Sequence, residues 1–141
     1  MKIVQLSVFV ENKEGRLADI MGVLAAAKIN IRALSLADTK DFGVLRMIVD
    51  TPDKAIEALK AKDVVVKTTD IIAVEVEDQP GGLAKVLGVF KKAGINIEYM
   101  YAFVEKNNCN AVMVFRVDEP DKALKKLKGV KVLKAEDVYN L

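Results

Sequence analysis

The sequence contains no histidine, no tryptophan and a single cysteine among its 141 residues. Without histidine, the chain lacks the usual general base near neutral pH and the commonest metal ligand of proteins. Catalytic Ser-His and Cys-His pairs and histidine-based zinc sites are therefore excluded. We expect a protein that is not an enzyme and that holds no metal and no cofactor. A small enzyme using lysine or carboxylate chemistry stays open as an alternative.

Other absences concern the cell compartment and the partners. Cys109 has no second cysteine with which to form an internal disulfide, and we expect it to be an unreactive thiol. The longest apolar stretch, 20–27, is far shorter than the roughly 20 residues that span a bilayer. The 22 basic and 20 acidic residues leave a charge of +2, too small to favour phosphate backbones. We expect a cytoplasmic protein that binds neither membrane nor nucleic acid.

An internal repeat organises the chain. Residues 11–31 align with 77–97 at an offset of 66, and ten of the 21 positions are identical. Residues 42–60 align with 110–128 at an offset of 68, with nine of 19 identical. The change of offset places a two-residue insertion between the blocks, most simply in the polar stretch 105–108, because insertions collect in loops.

Each copy is predicted to fold as strand, helix, strand, strand, helix, strand. Leu17, Ile20 and Leu24 recur at helical spacing, and Pro52 and Pro120 stand where a first-turn proline belongs. This βαββαβ order predicts an α+β protein of two tandem ferredoxin-like domains, 1–69 and 70–141. Each domain is expected to have an antiparallel sheet with both helices on one face.

Candidate binding residues lie at the loop after the first strand of each copy. Asn12 or Asp78 is followed three residues later by Gly15 or Gly81, where the first helix starts. A glycine lets a ligand approach the backbone, and a helix start presents unpaired N–H groups with a partial positive charge. This arrangement is typical of a carboxylate site.

An asparagine follows the first helix of each copy. The motif Ile-Asn-Ile occurs at 29–31 and 95–97, and its amide can accept from an ammonium and donate to a carboxylate. The loop and the asparagine together would suit a small zwitterion. The same residues also admit a purely structural interpretation, in which Asn12 and Asp78 are helix N-caps and the glycines and Asn30 and Asn96 are turn residues.

The chain resembles the ACT domain, an amino-acid-sensing module. The resemblance rests on the motif Glu-Asn-x-x-Gly-x-Leu, the helix that follows it, the motif Ile-Asn-Ile and the βαββαβ order. The resemblance covers both copies and implies a tandem ACT protein with no catalytic domain attached, binding an amino acid at an interface between ACT domains. It implies a non-catalytic regulatory function, or alternatively a regulatory subunit of a separate amino-acid biosynthetic enzyme. It places ligand contacts at Asn12, Gly15, Arg16, Leu17 and Asn30, and at Asp78, Gly81, Gly82, Leu83 and Asn96. Which amino acid binds is not set by the sequence.

The two copies differ at the candidate loop. Pro80-Gly81-Gly82 stands in the second copy where the first has Glu14-Gly15-Arg16, and Asp78 replaces Asn12. The second loop has fewer side chains over its backbone, and Asp78 offers a full negative charge to an ammonium group. We therefore expect the second site to bind the ligand more tightly.

The second strand of the second copy is apolar on both faces. Tyr99, Tyr101 and Phe103 alternate with Met100, Ala102 and Val104. The aromatic stripe is more typical of a core or interface than of base stacking. A single helical layer covers only one face of a sheet, so we expect a homodimer. A compact monomer in which the two copies cover each other is the alternative.

Overall fold

The computed structural model describes residues 2–38, 41–104 and 110–141. The chain forms two compact units. The first unit is Val4–Thr69, and the second is Asp70–Leu141 together with the N-terminal residues up to Ile3. The predicted insertion at 105–108 and the predicted unreactive thiol of Cys109 lie outside the described residues.

The first unit has the predicted βαββαβ order. Its elements are β1 (Ile3–Glu11), α1 (Arg16–Ala26), β2 (Ile31–Asp38), β3 (Phe42–Val49), α2 (Pro52–Lys60) and the beginning of β4 (Val66–Glu77). The strand β3 lies between β2 and β1 and is antiparallel to both, while β4 neighbours β1 on the other side. This is the strand order of a ferredoxin-like sheet.

The second unit repeats this order. It contains the end of β4, then α3 (Gly82–Lys92), β5 (Ile97–Ala102), β6 (Asn110–Val117), α4 (Pro120–Lys126), β7 (Lys131–Val132) and α5 (Ala135–Tyr139). The strand β6 lies between β5 and β4 and is antiparallel to both, and β7 pairs with β4 through Val74 and Val132.

Each unit buries one face of its sheet under its own helices. In the first unit, alternate residues of β1 and β3 pack against apolar residues of α1 and α2. In the second unit, Phe90 of α3 meets Phe115 of β6 with ring centroids 4.8 Å apart. Both rings are about 1% exposed or less, and aromatic contact at this distance adds to their burial. The sequence-predicted fold class is confirmed.

The boundaries of several elements differ from those predicted. The last strand of the first copy and the first strand of the second copy are one strand, β4, of 12 residues. We predicted β2 from Ile29 and β5 over 95–104, whereas they are Ile31–Asp38 and Ile97–Ala102. The short helix α5 was not predicted, because its five residues are too few to show a period. No helix in the described part of the chain is long and apolar enough to cross a membrane.

The aromatic residues of β5 point away from the helices of the second unit. Tyr101 pairs in register with Val114, and Tyr101 and Phe103 are each 8% exposed in the single chain. Tyr99, the third aromatic residue of the stripe, is half-buried. Val104, at 64% exposure, stays open to solvent. The homodimer expected from this strand stays a prediction.

Candidate functional site

The loop between the first strand and the first helix has the same backbone in both units. Gly15 precedes α1 with φ 81° and Gly81 precedes α3 with φ 85°, a left-handed conformation that glycine adopts at no steric cost. The Arg16 N–H donates to the Lys13 carbonyl over 3.3 Å, and the Gly82 N–H donates to the Gln79 carbonyl over 3.0 Å. The loops match although their side chains differ.

The two glycines are themselves the N-cap residues, so the interpretation of Asn12 and Asp78 as N-caps is wrong. Neither helix has a side chain capping its first turn. The Asn12 N–H instead donates to the Asp41 carbonyl over 3.2 Å, which ties the loop to the start of β3. The side chains of Asn12 and Asp78 lie at the exposed surface beside the helix starts. An anion could thus approach the first-turn N–H groups without displacing a cap.

The two predicted asparagines lie at the opposite end of the first helix from the loop. The helix α1 has 11 residues, which correspond to about 16 Å of rise. Asn30 follows its C-terminal end, where its N–H donates to Asp50 Oδ1 over 3.2 Å. Asn96 stands in the same place in the second unit and lines a small hollow with Asp118 and Lys122. No single unit brings its asparagine to its own glycine loop.

Gly82 serves local packing rather than ligand access. It is buried, and a Cβ built on it would lie 2.0 Å from the Glu77 carbonyl oxygen. Since that contact is with backbone, any side chain at 82 forces the helix start away from β4. The first unit carries Arg16 at this position. Our expectation that the second loop offers barer backbone to a ligand is therefore wrong for Gly82. Gly81 is exposed, as is its counterpart Gly15 in the first loop.

Replacing Gly82 by alanine tests this packing. We expect Gly82→Ala to lower the free energy of unfolding by about 1–3 kcal/mol, the usual range for overpacking. The matched control is Gly88→Ala in the same helix, where a Cβ has nothing within 4 Å. The control should raise stability by about 0.5–1 kcal/mol, since glycine is unfavourable inside a helix. Urea denaturation measures both; equal stabilities for the two variants would contradict the account.

A groove runs beside the glycine loop in each unit. The first groove lies between the end of β1, the first turns of α1, the start of β3 and the segment 62–65, and it encloses about 560 Å³. The second groove occupies the equivalent place and encloses about 210 Å³. The first groove is lined by Phe9, Val10, Glu11, Arg16, Asp19, Ile20, Val23, Phe42 and residues 62–65. The second is lined by Glu75, Glu77, Gly82, Lys85, Val86, Asn110 and residues 129–131.

The second groove is crossed by a polar cluster centred on Glu75. The Glu75 side chain is 8% exposed, and its Oε2 lies 2.7 Å from Lys131 Nζ. Asn110 Nδ2 donates to Glu75 Oε1 over 2.6 Å. A buried carboxylate costs several kcal/mol unless it is paired and hydrogen-bonded, and Glu75 is both. The second groove is thus partly filled by its own side chains.

We did not predict the apolar wall of the first groove, formed by Phe9, Phe42 and Val65, or the Glu75 cluster of the second. The signal was present in the repeat alignment, which sets Phe9 opposite Glu75 and Phe42 opposite Asn110. Within the described residues, no group of three or more cysteine, aspartate or glutamate side chains is arranged to hold a metal ion.

The comparisons with known proteins agree with this architecture. Residues 1–139 match the family model described as an ACT domain pair. The chain belongs to the ACT domain pair family. The resemblance to ACT domains is therefore confirmed over almost the whole chain. A search of curated proteins found no match.

Solved structures extend the comparison. A protein from Bacteroides thetaiotaomicron is 46% identical with a TM-score of 0.92, and the alignment covers 100% of this ACT pair and 98% of that chain. The ligand-free regulatory subunit of aspartate kinase from Thermus thermophilus is 16% identical with a TM-score of 0.64, covering 89% and 91%. The corresponding subunit from Thermus flavus is 17% identical with a TM-score of 0.61, covering 90% and 91%. At these identities the Thermus chains share the fold.

Proposed function

We propose that this ACT pair is a non-catalytic, amino-acid-binding regulatory protein. The observation that carries the proposal is the start of α1 and of α3, where a glycine N-cap leaves the first turn without a capping side chain. The Arg16 and Gly82 N–H groups donate within their loops, and the other N–H groups of the first turn would take the α-carboxylate of the amino acid. The oxygen of the Asn12 or Asp78 side chain would accept from its ammonium group. Leu17 and Leu83 lie in the same first turns.

A complete site in this proposal uses two ACT domains. The asparagine lies about 16 Å from the glycine loop of its own unit, by helix rise, which is too far for one amino acid to touch both. We propose that the protein is a homodimer and that Asn30 or Asn96 of one chain completes a loop site of the other. The domains 1–69 and 70–141 would each supply one loop and one asparagine.

A second candidate function is that of a regulatory subunit of a separate biosynthetic enzyme. The two Thermus chains are named as regulatory subunits of aspartate kinase, and the alignment covers 91% of each. A chain of this extent can thus act on an enzyme that it does not contain. Purification from the native host separates the candidates, since a subunit should bring its catalytic chain with it.

A thermal-shift panel of the twenty amino acids, with nucleotides as controls, tests the proposed function. A ligand at 100 times its Kd should add about 2.7 kcal/mol to the free energy of unfolding. That gain should raise the melting temperature by several degrees for a chain of this size. A panel in which no amino acid shifts the melting temperature would contradict the proposal.

A chain-mixing experiment tests whether the site spans two chains. One variant, Asn12→Ala/Asp78→Ala, disables both loops, and the other, Asn30→Ala/Asn96→Ala, disables both asparagines. Each variant alone should lose binding of the amino acid found in the panel. Co-expressed chains should regain roughly a quarter of the wild-type capacity, because half of the dimers are mixed and each mixed dimer restores half of its sites.

Two outcomes would overturn the assignment. If both variants bind as the wild type does, the site lies elsewhere. If each variant fails and the mixture also fails, the loop and the asparagine do not come from different chains. Light scattering supplies the control, since a mass near 15.5 kDa at micromolar concentration would rule out the dimer.

A further inference from the structure

Three of the positions at which the two grooves differ belong to one polar cluster in the second unit. Phe9 and Phe42 of the first unit align in the repeat with Glu75 and Asn110. Val65 matches Lys131, because each lies two residues after a residue with positive φ, Asp63 or Gly129. In the second unit these three form the hydrogen-bonded cluster around the buried Glu75 carboxylate. In the first unit the three apolar side chains stay 44%, 52% and 61% exposed. The repeat thus provides two versions of one groove, one filled with polar groups and one with an open apolar wall.

We propose that the first groove binds the apolar side chain of an amino acid, and that the ligand class is therefore the large aliphatic and aromatic amino acids. This inference rests on the proposed function and assigns the ligand specificity of the site to the first groove.

The volumes of the grooves support a ligand in the first unit. Small-molecule sites usually enclose about 300–1,000 Å³. The first groove, at about 560 Å³, falls inside this range, and the second, at about 210 Å³, falls below it. A ligand in the second groove would also have to break the contacts of Glu75, which is costly for a buried charge.

The charges at the rim of the first groove fit a zwitterion. Arg16 Nη1 lies 3.9 Å from Asp19 Oδ2, beyond hydrogen-bond distance, and about half of the Arg16 side chain is exposed. Exposed pairs of this kind contribute little stability, so Arg16 can turn to a ligand carboxylate at little cost. Asp19 and Asp63 add negative charge to the same rim, which favours the ligand ammonium group that is proposed to donate to Asn12. A hydrophobic amino acid presents both charges and an apolar body, as the groove does.

The apolar wall is open to a ligand although one ring has a cation above it. Lys67 Nζ stands 5.7 Å from the centroid of the Phe9 ring, a cation–π distance. Phe9 nonetheless keeps 44% of its surface exposed, and Val10, Ile20 and Val23 continue the apolar lining toward α1. The inference reverses our expectation that the second site binds more tightly, because the second groove is smaller and holds its charges in internal pairs.

The test measures affinities of leucine, phenylalanine, glycine and aspartate by calorimetry in wild type and two variants. The variant Phe42→Asn/Val65→Lys places the polar residues of the second unit on the rim of the first groove. The control is Leu36→Asn, an equally exposed apolar residue of β2 at 51% that does not line the groove. Both variants alter exposed positions, and circular dichroism checks that they fold.

We expect wild type to bind leucine or phenylalanine at least about ten-fold more tightly than glycine or aspartate, the scale on which an apolar pocket discriminates. The groove variant should lose this preference, and Leu36→Asn should keep it. If none of the twenty amino acids of the thermal-shift panel binds wild type, the proposed function itself fails. If glycine or aspartate binds best, or if the groove variant keeps wild-type affinity for the apolar ligands, the proposed function survives and this inference is overturned.

Discussion

The turn from the first strand into the first helix imposes the same backbone constraint on both units. A glycine with positive φ stands at the N-cap of α1 and of α3, and a residue with a Cβ would be strained there. Because glycine has no side chain, the helix starts without a side-chain cap. The same constraint that lets the chain reverse over the sheet therefore leaves N–H groups available to an anion. Fold and candidate site share this one residue in each copy.

The helix that starts at this turn separates the parts of the site. Because of the length of this helix, the Ile-Asn-Ile motif lies at the other end of the sheet. There the Asn30 N–H donates to the Asp50 side chain, just after β3. In the proposed site, one domain therefore supplies the loop and another supplies the asparagine. The repeat supplies two loops and two asparagines in one chain, and the grooves beside the loops are chemically different. The open apolar wall of one and the Glu75 cluster of the other are the clearest sign of that divergence.

Much of the fold could be predicted because its signals are local and occur twice. The alternation of β1, the apolar stripe of α1 and the first-turn prolines Pro52 and Pro120 each fix an element without knowledge of its neighbours.

The site could be predicted only in part. Asn110 and Glu75 are 35 residues apart, and no local pattern shows that they meet. The packing role of Gly82 depends on the nearby carbonyl of Glu77, which a sequence motif does not reveal. Asn30 and Gly15 lie at opposite ends of α1, and their spacing in the sequence does not show this unless the helix is known.

The number of amino-acid molecules bound per chain distinguishes two grooves with different roles from two equivalent grooves. Calorimetric titration of the purified protein with leucine or phenylalanine measures it. We predict one molecule per chain, held by the first groove, with the second groove occupied by its own polar cluster. Two equivalent molecules per chain would contradict the divergence of the grooves, and no binding of either amino acid would contradict the ligand class.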